Sequence, residues 1–326
     1  MLSGSRSQKL LEIFLRRDKK LSKEIVEEIK SLKRDRNALL LVHNYQDSKL
    51  HELGDFSGDS FELAHKAKYT DNDLLVFAGA EFMAEIAVIL NPDKKVLIPS
   101  STAKCPMAHM LSPEVMKHYR AQYPDATIAV YVNTTAEIKA MADICITSGN
   151  AVRIASKLDG DLILIGPDRN LASYIQQQLP NKKIIPFPED GHCYVHKKFL
   201  PSDVEILRNK YPEAEIIAHP EVEPSVQTLA DKICSTSGML KEVSRSTSEK
   251  FIILTEIGLI DLLRSKFPTK MFIPARKDAI CIQQKKITVY NLFLSLLHEQ
   301  YQVKVSSNIA KKARSSLERM LELSEK

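Results

Sequence analysis

The chain has 326 residues, 44% of them hydrophobic and 27% charged, and carries a net charge of +5. This is the composition of a folded globular protein, and it excludes a disordered or low-complexity chain. The mild positive charge comes without a ladder of aromatic and basic residues, there is no apolar run of about 18 residues, and the N-terminus lacks a signal-like stretch, so a cytoplasmic protein with no nucleic-acid or membrane partner is expected.

Residues 1–36 open the chain. Leu10, Leu11, Ile13 and Phe14, then Ile25, Ile29 and Leu32, recur at helical spacing and predict one or two amphipathic helices. From there the sequence repeats itself. Cys105, Cys193 and Cys281 stand 88 residues apart and then 88 again. The same step links Asp55, Asp143 and Asp231, as well as Pro92, Pro180 and Pro268, and Lys94, Lys182 and Lys270. Length alone would suggest two domains, but the repeat divides the chain into three units, 37–124, 125–212 and 213–300. Residues 301–326 close it with a further helix carrying Ile309, Ala313, Leu317, Met320 and Leu321 on one face. If that helix packed over the third unit, which it follows, deletion from Ile309 onward would expose the pocket.

Each unit reads as three strands alternating with helices. The first strands are Ala38 to Val42, Thr127 to Val130 and Glu215 to Ala218, nearly all apolar, as strands of a parallel sheet buried on both faces should be. The second strands are Leu74 to Phe77, Leu162 to Ile165 and Phe251 to Leu254, and the third end at Ile98, Ile185 and Ile273. The expected fold is α/β: three homologous three-layer α/β/α domains with parallel sheets around a pseudo-threefold axis. Such sheets bind ligands beyond the carboxyl ends of their strands.

At those ends stand three triplets in register: His43-Asn44-Tyr45, Tyr131-Val132-Asn133 and His219-Pro220-Glu221. Any one could be an ordinary polar loop, but three at equivalent points predict convergence on one pocket. About fifteen residues later come Gly58-Asp59-Ser60, Thr147-Ser148-Gly149 and Ser235-Thr236-Ser237-Gly238. Each alone reads as a helix cap; together they would suit a small polyanion. The three register-matched cysteines each sit alone on a loop, without the paired C-x-x-C hooks of structural zinc. Three thiolates can hold a 4Fe–4S cluster with one iron open to substrate, or a zinc ion with an open position. Cys145 and Cys234 read as packing residues. Phe82 and Met83 read as core, or more weakly as pocket wall.

The strings His43-Asn44-Tyr45-Gln46, Gly58-Asp59-Ser60, Phe82-Met83-Ala84-Glu85, Tyr131-Val132-Asn133, Gly191-His192-Cys193-Tyr194-Val195-His196, His219-Pro220-Glu221 and Ser235-Thr236 resemble quinolinate synthase. The resemblance runs from about residue 37 to the C-terminus. It implies condensation of iminoaspartate with dihydroxyacetone phosphate to quinolinate, the precursor of NAD, with release of phosphate and water. It also implies a [4Fe–4S] cluster held by Cys105, Cys193 and Cys281, with one open iron. Carried over position by position, His43, Ser60, Tyr131, Asn133, Ser148, His219, Glu221 and Thr236 would bind substrate, with His43 and His219 also in catalytic positions. Tyr45 and Glu221 would be the leading acid/base pair. An aspartate oxidase or dehydrogenase would supply the imine. Two segments depart from the family pattern: Arg276 to Lys285 around the third cysteine, and Thr255-Glu256-Ile257-Gly258. Two other families with one cysteine in each of three α/β units, the diphthamide-synthesis enzymes and the reductase of hydroxymethylbutenyl diphosphate, lack these strand-end motifs. A non-catalytic iron–sulfur sensor or zinc-binding scaffold would explain the thiols but leave the strand-end residues without a task.

Overall fold

The computed structural model describes residues 19–325, with side chains from Lys23 onward. The helical pattern expected for Leu10 to Phe14 lies outside the described residues. Three four-stranded sheets, all parallel, follow one another along the chain. The first comprises β1 (Ala38–His43), β2 (Phe56–Gly58), β3 (Leu74–Ala78) and β4 (Lys95–Leu97). The second comprises β5 (Thr127–Tyr131), β6 (Ile144–Ile146), β7 (Leu162–Gly166) and β8 (Lys183–Pro186). The third comprises β9 (Glu215–Ala218), β10 (Lys232–Ile233), β11 (Lys250–Leu254) and β12 (Met271–Pro274). Strand order is the same in each, β2-β1-β3-β4 and its counterparts, and helices connect the strands into three α/β/α layers.

The expected strands are all present, and each sheet has one more. The extra edge strands β2, β6 and β10 span only two or three residues and pair with one neighbour each. Segments that short carry no readable alternation, which is why they escape a pattern-based reading. Each sheet has its first strand beside the third in this order, so successive connections leave in opposite directions from that point. Crevices open there at the strands' carboxyl ends.

The repeated residues have structural tasks. Asp55, Asp143 and Asp231 each accept a hydrogen bond from the backbone N–H of the unit's first strand, at Leu40, Ile128 and Ile216, at 2.7, 2.7 and 2.8 Å. Each also pairs with a cation from the preceding helix, Lys33, Arg120 or Arg208. One carboxylate thus pins helix to sheet three times over. Lys182 and Lys270 donate to carbonyls at the end of a helix, as Lys94 does to Thr70. Pro92, Pro180 and Pro268 each follow the C-cap residue of a helix, where a residue that cannot continue the helix belongs.

Helix Lys19–Asp35 buries Ile25, Ile29 and Leu32 against the first unit and against helix Val289–His298. The C-terminal helix Ser307–Glu325 buries Ala313, Leu317, Met320 and Leu321. It lies on β6 and on helices Glu81–Leu90, Ala136–Lys139 and Ala151–Lys157. It therefore covers the first and second units and not the third. Its apolar stripe finds a matching surface there in the buried Ile138, Ile144, Ile146 and Ile154. Among the described residues no helix is long and apolar enough to cross a membrane.

Candidate active site

The strand ends of all three sheets open into one cavity. The space between protein atoms there, counted out to the open solvent at its mouth, is about 680 Å³. Its walls include His43 and Tyr45 at and beyond the end of β1, Tyr131 and Asn133 at and beyond the end of β5, and His219 and Glu221 beyond β9. Ser60, Ser148 and Thr236 line it, as do the sulfurs' residues Cys105, Cys193 and Cys281. Each residue that the resemblance implied as catalytic, substrate-binding or cluster-holding thus lines the same cavity, whereas Asn44, Gly58, Gly149, Ser235, Ser237 and Gly238 of the same motifs do not. Cys145, buried in β6, and Cys234 are not among the lining residues, whereas Phe82 and Met83 form part of the wall.

The cysteine loops are fastened the same way in each unit. The helix after each sheet's second long strand donates a backbone N–H to the loop ahead of the cysteine. Glu81 donates to the carbonyl of Ala103, Arg169 to Gly191 and Ile257 to Ala279, each at 2.9 Å. These residues again stand 88 apart. Gly191 is required by close approach, since a Cβ there would sit 1.8 Å from the carbonyl oxygen of Pro167. A buried carboxylate reinforces the third loop. Glu256 accepts from the backbone N–H of Cys281 at 3.1 Å and of Gly258 at 2.6 Å. Asp168, its counterpart 88 residues earlier, accepts from the backbone N–H of Leu171 at 2.7 Å. Burial raises both carboxyls, and the charge of Glu221 raises Asp168 further.

Burial pushes the thiols up: Cys105 to about 12, Cys193 well above the ordinary thiol, and Cys281 in the same direction. The neighbouring sulfurs add to the rise at Cys105 and Cys193. Three thiolates in this cavity therefore call for a cation among them.

A chain of polar contacts crosses the cavity wall. Tyr45 Oη lies 2.8 Å from Thr255 Oγ1, which lies 2.9 Å from His196 Nε2. His196 Nδ1 approaches Glu221 Oε2 to 2.7 Å, and Tyr131 Oη donates to Glu221 Oε1 at 2.7 Å. The His196 and His219 rings stack with centroids 4.6 Å apart. Burial works to raise the Glu221 carboxyl. The His196 imidazole and the Tyr131 hydroxyl outweigh it, holding Glu221 well below the usual carboxylate range. Burial lowers His43 and His219 to about 3, so both are neutral imidazoles. Burial, aided by Glu221, raises the Tyr45 and Tyr131 phenols, which keep their protons. The site thus pairs an ionised carboxylate with protonated phenols.

Register explains which groups remain free. His196 and Gln284 stand 88 residues apart, and the third member of that set is Ala108. His196 meets Glu221, and Gln284 approaches His43 and bonds Gln46. Ala108 can offer nothing to Asn133, whose Oδ1 is buried with no hydrogen-bond partner among the described residues. That oxygen is available to a ligand.

His196, Thr255, Asp168 and Glu256 were given no role from sequence. His196 lies within the string that starts at Gly191, and the 88-residue match of Asp168 with Glu256 is the signal in the sequence that marks both carboxylates. Thr255 has Pro167 and Gly79 at its equivalent positions and left no such signal.

Residues 27–322 match the family model described as quinolinate synthetase A protein. A curated protein of Methanocaldococcus jannaschii named quinolinate synthase is 50% identical over 308 residues, covering 93% of this chain and 100% of that protein. One from Pyrococcus abyssi with the same name is 50% identical over 301 residues, 92% of this chain and 100% of its own length. Another, from Thermotoga maritima, is 42% identical over 299 residues, 92% and 99% of the two chains. With three like sheets, one shared cavity and near end-to-end similarity to these relatives, the chain belongs to the quinolinate synthase family.

Proposed function

We propose that the chain condenses iminoaspartate with dihydroxyacetone phosphate to give quinolinate, releasing phosphate and water, on a [4Fe–4S] cluster held by Cys105, Cys193 and Cys281. The observation that carries this reading is the meeting of three loop-borne thiols and three polar strand ends at one cavity. The donor set fits the cluster: three sulfurs, each on a separately fastened loop, and no fourth cysteine lining the cavity. Bound there, the cluster supplies one open iron, a Lewis acid that eases loss of a hydroxyl.

The protein's own groups do the rest. Glu221 is ionised at working pH and takes the proton from the carbon beside the substrate carbonyl. Tyr45 keeps its proton and delivers it to a departing hydroxyl, with Thr255 and His196 linking the two residues. Neutral His43 and His219 donate to carbonyl or carboxylate oxygens. Ser60, Ser148, Thr236, Tyr131 and Asn133 hold the carboxylates and phosphate. The relatives' shared name supports the reaction.

Cys193, His196 and Glu221 also have ligand atoms within 4.8 Å of one another and could hold a single ion. The cluster reading is favoured because a lone ion there would leave Cys105 and Cys281 without a task. It would also take Glu221 and His196 from the chain linking Tyr131 to Tyr45. The test is anaerobic purification with iron and sulfide counting, followed by assay of quinolinate formation from the imine and the triose phosphate. A loaded protein that forms no quinolinate overturns the proposal.

Small-molecule substrates handled in the cytoplasm are part of the same proposal, which rests on the likeness to the family. The unstable imine requires a supplying enzyme, an aspartate oxidase or dehydrogenase.

A further inference from the structure

The three turns that carry Ser60, Ser148 and Thr236 are equivalent in register, yet they are built differently. In the first, Asp59 caps its helix by accepting from the N–H groups of Phe61 and Glu62, each at 3.1 Å. In the third, Ser235 accepts from Gly238 N–H at 3.2 Å. These two turns also hold each other, since Ser235 Oγ donates to Asp59 Oδ2 at 2.9 Å. The residue at the same position in the second turn is Thr147. Its hydroxyl caps nothing: Oγ1 is buried, has no hydrogen-bond partner among the described residues, and belongs to a residue lining the cavity.

Asn150 takes over the turn. Its side-chain Oδ1 accepts from Thr147 N–H at 2.6 Å, while its own N–H donates to the Thr147 carbonyl at 3.2 Å. Asn150 is itself held from outside, with Nδ2 donating to Ser324 Oγ at 2.9 Å. Ser324 stands in the last turn of the C-terminal helix, 6% exposed, and the helix is anchored nearby by Ser316 Oγ donating to the Lys139 carbonyl at 2.8 Å. The first and third turns brace each other directly; the second is braced by the chain's final helix.

We propose that Ser324 and Asn150 are positioning residues that aim Thr147 and Ser148 at the substrate. We further propose that the free Thr147 hydroxyl is an additional donor to an anionic oxygen of the ligand. The inference rests on the proposed reaction site and concerns how tightly it binds, not whether it turns over. Neither Ser324 nor Asn150 lines the cavity.

The test uses Ser324→Ala, Ser324→Thr and Thr147→Val in the cluster-loaded protein. Steady-state kinetics would be read beside calorimetric binding of the dicarboxylate product, quinolinate. Loss of one neutral hydrogen bond predicts a rise of about fivefold in both KM and the product's Kd for Ser324→Ala and Thr147→Val. In both variants kcat should stay within about twofold and iron content should be unchanged. Ser324→Thr, which keeps the acceptor, should bind as the parent does. Ser324→Ala with parental KM and Kd overturns the brace, and Thr147→Val with parental Kd overturns the added donor. A fall in kcat and iron content together would mean a general loosening of the fold and would also overturn the proposal. A parent protein that binds quinolinate but forms none would count against the reaction and leave the binding comparison decisive for the brace.

Discussion

Glu221→Gln separates charge from shape at the centre of the site. Glu221 is 3% exposed and receives Tyr131 Oη at 2.7 Å, with His196 at 2.7 Å and His219 Nδ1 at 3.9 Å. Glutamine has the same size and keeps an oxygen for Tyr131, so the contact survives in its neutral form. Losing the charge-assisted part costs about 1–2 kcal/mol, while removing a buried charge gives some of it back. Stability should therefore fall by less than about 2 kcal/mol, a drop of only a few degrees in a chain of this size. Catalysis should respond far more. Removal of a positioned general base costs about 10² to 10⁴ in rate, or roughly 3–5 kcal/mol of barrier. The assay is anaerobic quinolinate formation under saturating substrates, with iron and sulfide counted on the same sample. The expected result is parental cluster content with turnover reduced at least about a hundredfold. Turnover within tenfold of the parent would refute the assignment of Glu221 as the base.

Glu256→Ala should act on the cluster and not on proton transfer. It strips the buried N–H groups of Cys281 and Gly258 of their acceptor, at about 1–3 kcal/mol each. Iron content after anaerobic chelator challenge should fall faster than in the parent, and identical loss curves would remove that role. Acidity should weaken the fold in a defined window. His43 and His219 are lowered to about 3 and His51 to about 4, chiefly by burial, whereas exposed imidazoles titrate near 6.5. The unfolded chain then binds more protons between about pH 6.5 and 3, so stability is full above that window and declines as pH falls through it. Glu221, held low in the folded state, adds loss of the same sign once pH falls below about 4.5. Denaturant midpoints should be flat from pH 7 to 8 and drop by pH 5, and a midpoint at pH 5 equal to that at pH 7 would contradict the buried neutral imidazoles.

Much of the molecule was legible because its architecture is repeated. Asp143 alone is one surface carboxylate among many, but with Asp55 and Asp231 at the same step it marks a helix-to-sheet clip present in each unit. The cysteines and strand-end triplets were readable for the same reason, since equivalence by repetition implies equivalence in space. What breaks the repeat was not readable. Thr255 joins Tyr45 to His196 only because loops of different units face each other, and no periodicity encodes that meeting. The C-terminal helix shows its buried stripe in sequence, but the surface it covers depends on how the units are arranged. It therefore lies on the first two units and reaches the Ser148 turn from behind. Edge strands of two or three residues, such as Lys232–Ile233, are defined by their neighbour and not by their own pattern.

The central claim is that three sulfurs from three loops hold one iron–sulfur cluster. The most direct measurement is iron and sulfide per chain after anaerobic reconstitution, made on the parent and on Cys105→Ser, Cys193→Ser and Cys281→Ser separately. The account predicts about four irons and four sulfides in the parent and loss of most of both in every single variant. Full iron and sulfide in any one of the three variants, or a colourless parent, would contradict it.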